Sequence, residues 1–104
     1  MNNSDIEFTL RYTDSGRGGT IFFESPETSF DMWYELAMPP AIINIGIPES
    51  RFWEARTKLP LAGRKELLRA IGRQIINDKL SGNGYSLMND NIMDICSGKN
   101  PDLA

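Results

Sequence analysis

Ala41-Ile42-Ile43-Asn44-Ile45-Gly46-Ile47, closed by Pro48-Glu49, is the stretch on which the fold turns. The run is almost wholly apolar and rich in β-branched side chains, so it predicts a central strand. Proline suits the first position of a helix and an acid suits its first turn, so Pro48-Glu49 predicts a change from strand to helix. Gly46 inside the run predicts a bulge or the close approach of a helix.

N-terminal to this run the apolar period is two. Ile6-Glu7-Phe8-Thr9-Leu10-Arg11-Tyr12 alternates, which predicts a strand with Ile6, Phe8, Leu10 and Tyr12 inward. Asp14-Ser15-Gly16-Arg17-Gly18-Gly19 is a turn cluster, and Thr20–Glu24 reads as the returning strand of a hairpin. After the turn Ser25–Ser29, the segment Phe30–Ala37 carries two patterns. Phe30, Met32, Tyr34 and Leu36 alternate with Asp31, Trp33 and Glu35, whereas Phe30, Trp33, Tyr34 and Ala37 would line a helix. Aromatic content and short length favour the strand, which Met38-Pro39-Pro40 ends.

C-terminal to the run the period changes to 3.6. A short helix carries Phe52, Trp53 and Ala55 and stops before Pro60; a longer one spans about 60–80. Leu67, Leu68, Ile71, Gly72 and Ile75 share a face of the second helix. Gly72 costs roughly 1 kcal/mol against alanine there, which predicts close packing on the sheet. Gly82 is the expected stop. Tyr85–Met88 and Ile92–Cys96 read as a final hairpin around Asn89-Asp90-Asn91, and residues 97–104 as a flexible tail. The order β-β-β-β-α-α-β-β predicts a single α+β domain over residues 1–104, an antiparallel sheet with two helices packed on one face.

The chain has no histidine and one cysteine, Cys96. Histidine-based nucleophile systems and structural zinc sites therefore cannot be built within it, and it cannot close an internal disulfide. A lone thiol, a polar N-terminus and no apolar run near the roughly 20 residues needed to cross a bilayer predict a cytoplasmic protein without a membrane partner. The glycine cluster at 14–19 lacks the lysine and following helix of a phosphate loop. Asn89-Asp90-Asn91 with Asp94 lacks the glycine and closing glutamate of a calcium loop. No pair among the fourteen acids has a spacing that marks general acid–base work. We therefore expect no metal, no cofactor and no catalysis.

Charge is unevenly laid out. Residues 1–50 hold eight acids against two bases, and residues 51–104 nine bases against six acids. Within 51–73, Arg51, Arg56, Lys58, Arg64, Lys65, Arg69 and Arg73 face only Glu54 and Glu66. Lys65, Arg69 and Arg73 are four residues apart and share one helix face. In the acidic half, a strand over 30–37 places Trp33, a favoured interface anchor, between Asp31 and Glu35. The expectation is a small protein-binding module of inhibitor or immunity type. Its binding face would comprise Glu24, Glu27, Asp31, Trp33 and Glu35, and its partner would be a protein with a basic surface. The alternative is phosphate or nucleic-acid binding through Lys65, Arg69 and Arg73. A carboxylate-based enzyme or a small-molecule pocket between sheet and helices ranks third.

Overall fold

The computed structural model describes residues 7–101. Six strands form one sheet: β1 (Thr9–Tyr12), β2 (Gly18–Glu24), β3 (Ser29–Leu36), β4 (Ala41–Gly46), β5 (Gly84–Met88) and β6 (Ile92–Ser97). Their order is β1-β2-β3-β4-β6-β5, and every neighbouring pair is antiparallel. Between β4 and β5 lie two helices, α1 (Trp53–Thr57) and α2 (Arg64–Leu80), each entered through a single 3-10 turn. The architecture is the α+β arrangement that the periodicity predicts. The segment 30–36 is a strand, with Phe30 and Met32 buried and Asp31, Trp33 and Glu35 exposed, and Ala37 lies just beyond its end.

The core fills the space between one sheet face and the helices. Ile21, Phe23, Met32, Ile45, Met93 and Ile95 meet Leu68, Ile71, Ile75 and Trp53. Phe8, Phe23, Phe30 and Trp53 form a continuous aromatic series with ring centroids 5.1, 4.7 and 5.9 Å apart. Gly72 does what its place in the apolar stripe predicts: a Cβ there would lie 3.2 Å from Met93 Sδ and Ser86 Oγ, so α2 rests closely on β5 and β6.

Several local expectations change. Pro48 does not begin a helix. It is buried, Glu49 after it is extended, and helical structure starts at Ser50. The reason lies in Arg64, whose Nε and Nη2 donate to the Pro48 carbonyl at 3.1 and 3.0 Å and hold this turn under the first turn of α2. The bulge in β4 falls between Ala41 and Ile43. The group that approaches Gly46 is the Trp33 indole rather than a helix, for a Cβ on Gly46 would meet its ring atoms at 2.1 Å. α1 ends where Lys58 turns left-handed (φ 63°) and Thr57 Oγ1 donates back to the Trp53 carbonyl at 2.8 Å. The break after α2 begins at Ser81 (φ 52°), one residue before Gly82 (φ 84°). β6 runs through Ser97, and the Gly98 amide donates to the Asn83 carbonyl at 3.1 Å. Ile6, expected inward on β1, and residues 102–104 of the expected tail lie outside the described residues.

One polar contact ties β1 to α2. The Tyr12 hydroxyl donates to Asp78 Oδ2 at 2.7 Å. Burial, and then the Asp78 carboxylate beside it, push the Tyr12 phenol above its ordinary range. The unfolded chain therefore releases this proton first as pH rises. The contribution is complete below about pH 10, where an unperturbed tyrosine titrates, and declines above it. Tyr12→Phe removes that dependence, so urea melts between pH 9 and 11 show a shallower alkaline loss for the variant than for the parent chain.

Candidate functional site

The helices cover one sheet face and leave the other open. The register sets what the open face carries. On β3 the outward residues are Ser29, Asp31, Trp33 and Glu35. Across the strands, Phe22 stands opposite both Arg11 and Asp31, Thr20 opposite Trp33, and Gly18 opposite Glu35. The Glu35 row continues through Asn44 and Asp94 to Leu87 at the far edge. An antiparallel sheet with one wet face is ordinary, and its outward positions are then mostly polar. Among its polar residues this face also holds large apolar groups: Trp33 is 47% exposed and Leu87 46%.

Trp33 is held in place from below. Gly46 has no side chain, and the indole occupies the space a Cβ would need, an aromatic covering a bare stretch of neighbouring strand. Beside it runs a cleft of about 280 Å³ whose walls include Trp33, Ile92, Phe52 and Arg56. Phe52, 47% exposed, and Trp53, fully buried, take opposite sides of the chain at the start of α1. Arg51 lies 4.6 Å from the Phe52 ring centroid and is paired with Glu49 at 3.2 Å.

The charges on the face are unequal in kind. Glu24, Asp31, Glu35 and Asp94 stand against Arg11 and Arg56, a surplus of two negative charges. Glu24 lies 3.8 Å from Arg11, which also rests 4.2 Å above the Phe22 ring. Asp94 accepts a hydrogen bond from the Asn44 amide. Arg56 donates to the Asp31 main-chain carbonyl at 3.0 Å rather than to its carboxylate. Among the described residues, the carboxylates of Asp31 and Glu35 form no ion pair.

The structure thus brings Asp31, Trp33, Glu35 and Glu24 onto one surface. Glu27 sits at the tip of the β2–β3 turn, exposed, where Ser25 and Thr28 close the loop through each other. Sequence reasoning missed Phe22, Asn44, Asp94 and the Phe52–Arg56 side of the cleft. Their membership follows from strand order and register, and no spacing in the chain encodes either.

The basic stretch divides into two kinds. Arg51 is paired, Arg56 is bound to a main-chain oxygen, and Arg64 is buried. Lys65, Arg69 and Arg73 remain exposed on α2 and form no ion pair among the described residues. No group of three or more carboxylates or thiols able to hold a metal occurs among the described residues, and none of their helices is long and apolar enough to cross a membrane. Comparison with protein-family models, with curated proteins and with solved structures finds no match for the chain.

Proposed function

We propose that this protein is a non-catalytic binding module whose open sheet face docks a protein with a basic surface. The observation that carries the reading is a half-exposed Trp33, seated on Gly46, between two carboxylates that form no ion pair among the described residues. A large aromatic anchor beside a cleft supplies affinity once water is excluded. Uncompensated acids around it speed encounter with a basic partner and penalise an acidic one. A small inhibitor or immunity protein works through a face of this kind.

The double reversal Asp31→Lys with Glu35→Lys tests the reading. Both side chains point to solvent, so folding stability stays within about 0.5 kcal/mol. Association with a basic protein captured at low salt slows by about tenfold or more, and the difference shrinks toward physiological ionic strength as charges are screened. A parallel triple reversal of Lys65, Arg69 and Arg73 to Glu does not slow that association, since it adds negative charge to the chain. Equal rates for parent and double reversal at low salt reject the acidic face.

A second reading has its own observation. Lys65, Arg69 and Arg73 form a basic stripe without an ion pair among the described residues, in a chain of net charge −3. Such a stripe suits phosphate groups, as in nucleic acid, and binding through three cations falls steeply with salt. Loss of captured material on nuclease treatment, together with sensitivity to the triple reversal, selects this reading over the first.

A further inference from the structure

Where the C-terminal end of α2 meets the inner sheet face, beside the β1–β2 loop, lies a separate cavity of about 350 Å³. Buried Ile21 and Ile43 form its apolar floor, and Tyr12, Tyr34 and Ile42 stand around them. That size and lining fall within the range of small-molecule sites. The two phenols are pinned. Tyr12 donates to Asp78 at 2.7 Å and Tyr34 to the Thr13 carbonyl at 2.8 Å, so the walls are set before any ligand arrives.

The rim carries two charges of opposite sign. Lys79 holds its ammonium 4.1 Å from the Tyr12 ring centroid, and Asp14 accepts the Gly16 amide at 3.1 Å. Neither forms an ion pair among the described residues, with the other or with anything else. Asp78, the remaining acid nearby, has both oxygens occupied, one by Tyr12 and one by the Gln74 amide at 2.8 Å. A simple anion would meet Lys79 but face Asp14 and Asp78. A simple cation would meet Asp14 but face Lys79. A zwitterion satisfies both rim groups at once.

We propose that this cavity binds a small amino acid with an aromatic or branched apolar side chain. The side chain lies on Ile21 and Ile43, the carboxylate meets Lys79, and the ammonium meets Asp14. The site is distinct from the open sheet face and does not depend on what docks there.

The test is calorimetric titration of the full chain with L-phenylalanine, 3-phenylpropionate and 2-phenylethylamine, the last two lacking the amine and the carboxylate respectively. L-phenylalanine binds saturably with a dissociation constant of about 1 mM or below, in keeping with a ligand of its size. Each analogue binds roughly tenfold more weakly, as does L-phenylalanine to Lys79→Met or Asp14→Asn. Asp14→Asn retains an oxygen for the Gly16 amide, and Lys79→Met retains an apolar stem over Tyr12, so both variants melt with the parent chain. The proposal is overturned if L-phenylalanine fails to saturate by about 10 mM, if the three compounds bind equally, or if both substitutions leave its affinity unchanged.

Discussion

Trp53→Ala lowers folding stability by roughly 3–5 kcal/mol, the usual cost of emptying a fully buried aromatic site. Trp53 has no exposed surface, stands edge-on to Phe30 with centroids 5.9 Å apart, and donates its indole N–H to the Pro60 carbonyl at 3.1 Å. Alanine removes the ring that fills the space between α1 and β3 and leaves the Pro60 carbonyl with only the Gly63 amide as donor. Against a total stability of about 5–15 kcal/mol, the loss leaves the folded state marginal. Urea denaturation reads it as a midpoint lowered by more than about 1 M. Trp33→Ala is the matching control, because its ring is half-exposed and lies on the sheet rather than in the core. A smaller loss at Trp53 than at Trp33 overturns the assignment of core and surface tryptophans.

Arg64→Met carries the second large penalty, about 2–4 kcal/mol. Arg64 is 9% exposed and serves as a clamp between three segments. It donates twice to the Pro48 carbonyl and once, at 2.7 Å, to the Asp90 carbonyl, and it lies 3.5 Å from the Asp90 carboxylate. Asp90 is itself fixed by the Ser50 hydroxyl and amide. These hydrogen bonds, the hydroxyl's first, and then the Arg64 and Arg51 charges hold its carboxyl below the usual range. Methionine keeps the volume of the stem, so the loss reports the guanidinium, whose central carbon lies 5.8 Å from the Trp53 ring centroid. Two carbonyls lose their donor, each costing about 1–3 kcal/mol when no water replaces it. Arg64→Lys falls between parent and Arg64→Met, since one ammonium cannot reproduce the planar fork that spans both carbonyls. A change of under about 0.5 kcal/mol in Arg64→Met would place the residue among ordinary surface cations.

Arg64 also shows where sequence reasoning stops. In the chain it is one base in a run of seven, and nothing in its spacing separates it from Lys65. Its role depends on the Pro48 turn and the β5–β6 turn meeting at the start of α2, a long-range encounter with no local signature. Elements whose cues are local were legible. The period-two alternation of β3 put Asp31, Trp33 and Glu35 outward, and the 3.6 period of α2 put Leu68, Ile71 and Ile75 inward, as the structure has them. Gly72 was readable because its cost had to be offset by packing. Gly46 was readable only as a bulge or the close approach of a helix. That Trp33 makes the approach requires β3 to lie beside β4 in one register, a tertiary fact. The acidic surface was half legible for the same reason: its β3 residues follow from alternation, whereas Phe22, Asn44 and Asp94 join through pairing alone.

The claim that a partner covers the open sheet face is most directly tested through the two tryptophans. Trp53 is fully buried and Trp33 is 47% exposed, so a neutral quencher such as acrylamide reaches Trp33 far more readily. Quenching is compared for the free protein and for its complex with the basic protein captured at low salt, with Trp33→Phe marking the residual Trp53 signal. The account predicts that complex formation reduces quenching of the parent chain to the level of Trp33→Phe. A complex that forms at full occupancy while Trp33 remains as quenchable as in the free protein contradicts it.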